Sequence, residues 1–116
     1  MNKRIPLYRE DDNKLLGFIV QDGAGWRAET VFGYSISRVP TRAGAEAILE
    51  ELGADYLKGV WQYFDNDEQQ WYPCVIKQAH ERQVTVIRTN AMGYQDPNDY
   101  KLVVINDVDE TRLVKA

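Results

Sequence analysis

The chain has a single cysteine, Cys74, and a single histidine, His80, in 116 residues. One thiol precludes an intramolecular disulfide, and one imidazole with one thiol cannot build a closed nitrogen–sulfur metal site. No apolar run approaches the roughly 20 residues that a membrane-crossing helix needs. There is no glycine-rich phosphate loop and no nucleophile elbow. The acidic stretch Asp65-Asn66-Asp67-Glu68 lacks the glycine and the distal glutamate of a calcium loop. No metal, no cofactor and no catalytic residue are therefore expected. Lys3 and Arg4 have no apolar stretch behind them of the kind a secretory leader carries. With the lone thiol, this gives the expectation of a reducing, cytoplasmic setting.

What is present is the composition of a globular domain: 44% hydrophobic and 28% charged residues. The net charge is −4, and the chain on either side of Leu57 carries seven basic and nine acidic residues. Neutralising phosphates normally requires a positive face, so the acidic balance disfavours a nucleic-acid partner. The exception is residues 1–42, with seven basic against five acidic residues. The aromatic load is uneven, since eight of the thirteen Trp, Tyr and Phe residues follow position 55.

Periodicity divides the chain. Leu16, Phe18 and Val20 alternate on one strand face, and Asp22-Gly23-Ala24-Gly25 supplies a turn. Trp26, Ala28 and Phe32 then face one way, with Arg27 and Glu29 on the other. Tyr34–Val39 reads as a third, more polar strand. Ala45, Ile48, Leu49 and Leu52 repeat at helical spacing behind the N-cap Thr41, and Gly53 is the expected stop. The second half reads as five short strands: Val60–Phe64, Trp71–Ile76, Val84–Ile87, Lys101–Ile105 and Thr111–Val114. Pro73 implies an edge or a bulge, because it has no donor for a ladder.

Gly59, the aromatic strand Val60-Trp61-Gln62-Tyr63-Phe64, the acidic turn and Trp71-Tyr72-Pro73-Cys74-Val75-Ile76 together resemble the opening of a Tudor-type, SH3-like barrel. The resemblance implies an aromatic cage for a methylated cation, held by cation–π attraction, with Phe64 and Tyr72 nearest the cage positions. The third strand ends in Ile87-Arg88-Thr89-Asn90, where that family has aromatics. Tyr94, in the longer loop that follows, is the candidate replacement wall. The first half is similar to the three-stranded sheet plus helix of small plant and integrase-arm DNA-binding modules, through Gly25-Trp26-Arg27-Ala28 and Thr41-Arg42-Ala43.

The expected fold is therefore α+β. An N-terminal antiparallel three-stranded sheet with one helix (residues 1–56) is followed by a small SH3-like or Tudor-like β-barrel or bent sheet (57–116), the two packed as one unit. The expected function is that of a non-catalytic binding or adaptor protein. It would engage a protein or peptide through Trp61, Tyr63, Phe64, Trp71, Tyr72 and Tyr94, since such rings dominate interface energetics. The alternative is a nucleic-acid-associated protein using Trp26, Arg27, Tyr34, Arg38 and Arg42. A Cys74–His80 nucleophile pair is disfavoured, because the two lie six positions apart along one hairpin strand, about 15–20 Å. The oligomeric state is left open.

Overall fold

A computed structural model describes residues 3–53, 55–95, 97 and 101–116. Among these the chain is mostly β with one helix, arranged as two antiparallel sheets. It divides into two compact units, residues 1–57 and 58–116. Part of the loop expected between Asn90 and Asp99 lies outside the described residues, as does Tyr100.

The first unit contains β1 (Arg4–Tyr8), β2 (Leu15–Asp22), β3 (Gly25–Glu29) and β4 (Ser35–Val39), paired in that order. The sheet thus has four strands where three were expected. The added strand is β1, whose Ile5 and Leu7 alternate inward while Pro6 sits on an edge strand, where a missing donor is tolerated. Helix α1 (Arg42–Leu52) begins at Thr41, whose hydroxyl accepts from the Gly44 amide at 3.1 Å. Its Ala45 and Leu49 are buried against Leu16, Ile19 and Ala28, flanked by Trp26, Ile36, Val39 and Ile48. Leu52, expected on the same face, is exposed instead, because the apolar stripe ends one turn earlier.

The strand faces also differ from simple alternation. The register of β1 on β2 shifts between Leu7 and Tyr8, which pair with Gly17 and Leu15. This bulge turns Leu16 to the helix side beside Ile19, while Phe18 and Val20 face away. Strand β3 stops at Glu29, so Phe32 belongs to the turn that follows and not to the strand. In that turn the Thr30 hydroxyl accepts from the Tyr34 amide at 3.0 Å.

The second unit contains β5 (Trp61–Asp65), β6 (Gln70–Ala79), β7 (Gln83–Arg88), β8 (Leu102–Asn106) and β9 (Leu113–Lys115). Their order is β8-β7-β6-β5-β9: a meander whose last strand returns to its first. No described ladder joins β8 to β9, so the hydrogen-bonded sheet is open and not a closed barrel. Pro73 lies in a central strand, contrary to the edge or bulge expected. It is accommodated because the β6–β7 pairing begins at Cys74↔Arg88, which leaves Pro73 past the end of β7. One face of the sheet buries Trp61, Tyr63, Cys74, Val84, Val86, Ile105 and Leu113 completely.

Candidate functional site

The aromatics proposed as a binding set are divided between the two faces of the second sheet. Trp61 pairs with Cys74 and Tyr63 with Tyr72, which places all four on the buried face. Trp61 and Tyr63 are fully buried and offer no surface to a ligand. Phe64 and Trp71 pair on the opposite face with ring centroids 5.5 Å apart at 68°, an edge-to-face contact. Trp71 remains 41% exposed. Tyr94 is 67% exposed on a loop organised by Asn90, whose side-chain oxygen accepts from the Met92 and Tyr94 amides at 2.9 and 3.0 Å.

Tyr72, the nearest candidate to a cage wall, already faces a cation from its own chain. The Arg88 guanidinium carbon lies 3.6 Å from the centroid of the Tyr72 ring and 5.7 Å from that of Tyr63. Arg88 Nε donates to the Tyr63 hydroxyl at 2.7 Å, and Nη2 donates to Asp65 at 2.9 Å and to Glu68 at 3.1 Å. Lys101 Nζ donates to the same Asp65 oxygen at 2.7 Å. The other Asp65 oxygen accepts from the amides of Asp67 and Glu68 at 2.9 and 3.0 Å, which fixes the β5–β6 turn. Two cations and two carboxylates thus form a closed cluster that ties the ends of β5 and β7 to the start of β8. The ring face on which the Tudor-type resemblance would place a methylated cation is filled by Arg88.

Sequence reasoning did not find this cluster, although a signal was there. Val84, Val86 and Arg88 share a period of two, so the arginine occupies an inward-facing position at the end of an apolar strand. Its partners come from 20 or more residues away in the chain.

The cluster makes stability depend on acid pH. The Lys101 ammonium, assisted by the turn amides, holds the Asp65 carboxyl at about 2 against its ordinary 3.8. The folded state therefore binds fewer protons than the unfolded one over that interval. The contribution is complete above about pH 4 and is lost as pH falls through about 2. Asp12, held at about 2 by Arg9, titrates over the same interval. Urea midpoints measured from pH 5 to pH 2 should fall steeply for the wild type and less steeply for Asp65→Asn. Identical slopes would remove Asp65 as a source.

Burial pushes the Cys74 thiol up to about 12. Thiolate is the reactive form, so native protein at pH 8 should resist a disulfide-exchange reagent for hours and react within minutes in denaturant. Labelling at equal rates in both states would contradict this burial. Among the described residues no group of three or more His, Cys, Asp or Glu side chains could hold a metal ion.

The residues of the nucleic-acid alternative lie in the first unit, on both faces of its sheet. Trp26 packs on the helix side, with Arg42 6.0 Å above its ring. Arg27 pairs across the strands with Val20 and Arg38, on the other face. There the charges alternate: Arg4 with Glu29 at 3.5 Å, Arg27 with Glu29 at 2.9 Å and with Asp22 at 3.2 Å, and Arg38 with Asp22 at 3.3 Å. Arg42 pairs with Glu46 at 3.1 Å on the helix, and Tyr34 meets Phe32 edge-on at 4.8 Å. Each arginine of the set thus already faces a carboxylate, which removes most of the field that would draw a phosphate.

No helix of the described residues is long and apolar enough to cross a membrane. No protein-family model, no curated protein and no solved structure matches this chain.

Proposed function

We propose that the chain is a non-catalytic binding or adaptor protein whose second unit, an SH3-like or Tudor-like bent sheet, engages a protein or peptide segment through Phe64 and Trp71. A five-stranded meander whose last strand returns to the first supports the SH3-like reading. The observation that carries the function is the edge-to-face pair of a part-buried Phe64 and a 41% exposed Trp71 on the face opposite the buried tryptophan and tyrosine. A half-exposed tryptophan held rigid by a neighbouring ring gives contact area at low entropic cost, as interface anchors do. The adjoining turn exposes Asp67, and the protein carries a net charge of −4. The fitting ligand is therefore a short segment with an apolar or aromatic anchor beside Lys or Arg. This differs from a methyl-cation cage, because the ligand meets Trp71 on the outer face while Tyr72 stays with Arg88.

Selection of a displayed random peptide library on the wild-type chain tests this reading. Enrichment of basic–aromatic sequences that bind Trp71→Ala at least ten-fold more weakly is the expected result. No enrichment, or equal binding to Trp71→Ala, would overturn it. Trp71 is partly exposed, so the variant should fold. Trp61, fully buried, is unsuitable for the same test.

A further inference from the structure

We infer that the loop after β7 supplies a second anchor to the same peptide site. The ligand is an extended segment whose aromatic and basic end sits on Trp71, with an apolar side chain four residues away held at Met92 and Tyr94. The inference rests on the peptide-binding reading and deepens it.

Register puts the loop on the face of Trp71. The β5–β6 ladder sets Phe64 opposite Trp71 and Gln62 opposite Pro73, and the pairing of β6 runs without a shift from Gln70 to Ile76. Trp71, Pro73 and Val75 therefore share the outer face by the two-residue period of a strand. The chain leaves β7 beside this stretch, with the Thr89 amide donating to the Pro73 carbonyl at 2.9 Å. It then comes down on the outer face at Gly93. A Cβ there would lie 3.1 Å from Val60 Cγ2 and 4.0 Å from Val75 Cγ1.

The loop backbone is tied, yet it presents two large apolar side chains to water. Besides the Met92 and Tyr94 amides held by its side chain, Asn90 donates its own amide to the Tyr94 carbonyl and accepts from Gly93, both at 2.9 Å. Met92 is nonetheless 77% exposed and Tyr94 67%. A backbone fixed before the ligand arrives spares the ordering cost of binding.

The surface between the two anchors suits a polypeptide backbone. Trp71 and Val75 are about 13 Å apart along β6, the span of four extended residues. Midway lie part-buried Pro73 and exposed Gln62, whose side-chain amide has no partner among the described residues. A carboxamide both donates and accepts, as the peptide groups of an extended segment do. Charge sets the orientation of the ligand. Exposed Asp67 stands in the turn at the Trp71 end and meets its Lys or Arg, whereas Val60, Val75, Met92 and Tyr94 at the other end are uncharged and meet an aliphatic side chain.

Three labelled peptides of one composition test this on the full chain by fluorescence anisotropy. Ac-Lys-Trp-Ser-Ser-Ser-Leu-amide and its reverse, Ac-Leu-Ser-Ser-Ser-Trp-Lys-amide, carry the four-residue spacing in the two chain directions. Ac-Lys-Trp-Leu-Ser-Ser-Ser-amide places the anchors side by side. The tighter of the first two should bind about ten-fold more strongly than the third, the gain expected from burying one leucine. Met92→Ser combined with Tyr94→Ser should erase that preference and leave the third peptide unchanged, while Trp71→Ala should weaken all three. Both loop side chains are exposed, so the double variant should keep the far-ultraviolet dichroism of the wild type. Equal affinity for the spaced and adjacent peptides, or a preference that survives the loop variant, would overturn the second anchor while binding that still needs Trp71 keeps the peptide-binding reading. No binding, or binding indifferent to Trp71→Ala, would overturn both.

Discussion

Gly17→Ala should be the most damaging single-atom-scale change in the first unit, lowering stability by about 3–4 kcal/mol. Gly17 sits inside β2 at a φ of 151°, and a Cβ there would lie 2.1 Å from the Glu29 carbonyl oxygen and 3.0 Å from Leu49 Cδ2. The first contact is with backbone, so no side chain can rotate away to relieve it. The strand would have to leave either β3 or the helix, and both carry the core of the unit. Thermal unfolding followed by near-ultraviolet dichroism should show a fall of more than about 10 °C. Gly59→Ala is the matching control: its φ of 88° is also unfavourable, yet nothing lies within 4 Å of the added methyl. It should cost only about 1–2 kcal/mol, the backbone penalty alone. Equal losses at the two sites would show that the close approach at Gly17 is relieved elsewhere.

Arg88→Leu should be the most damaging change in the second unit. The arginine is 11% exposed and its Asp65 partner 5%. Removing it takes a charge from Asp65, a donor from the Tyr63 hydroxyl and a cation from the Tyr72 ring. Severing a buried pair on one side leaves the other member uncompensated, and such losses are large. Lys101 still reaches Asp65, and Glu68 leaves one flank open to solvent. The expected loss is therefore about 2 kcal/mol, below the full buried-pair range. A double-mutant cycle with Asp65→Asn should return strong coupling, because the second removal no longer strands a charge. Additive losses would mean that Arg88 acts through packing alone. The two sites lie in different units and rest on different physics, one on a forbidden atom and the other on a missing partner.

The local grammar of the chain was legible in its sequence where short-range chemistry decides the outcome. Thr41 and the spacing of Ala45, Ile48 and Leu49 specify the helix, because an orphaned amide and a 3.6-residue period are satisfied within a dozen residues. The acidic turn at Asp65–Glu68 is as local, since its cap is an aspartate accepting from amides two and three residues ahead. Alternation separates Phe64 and Trp71 from Trp61, Tyr63 and Tyr72, because successive strand side chains point to opposite faces. Strand β1 was hidden by Pro6, whose meaning depends on whether a neighbour lies on its donor side.

The sequence by itself determined where the helix begins, where the chain turns and which residues of β5 and of the first half of β6 share a face. Only the tertiary structure decided which face is inside. A bulge moved Leu16 across the sheet, burial withdrew Trp61 and Tyr63 from any ligand, and Arg88 took the face of Tyr72. It also decided that β8 stands at one edge of the second sheet. Each of these depends on partners distant in the chain, and side-chain period carries no information about what lies opposite.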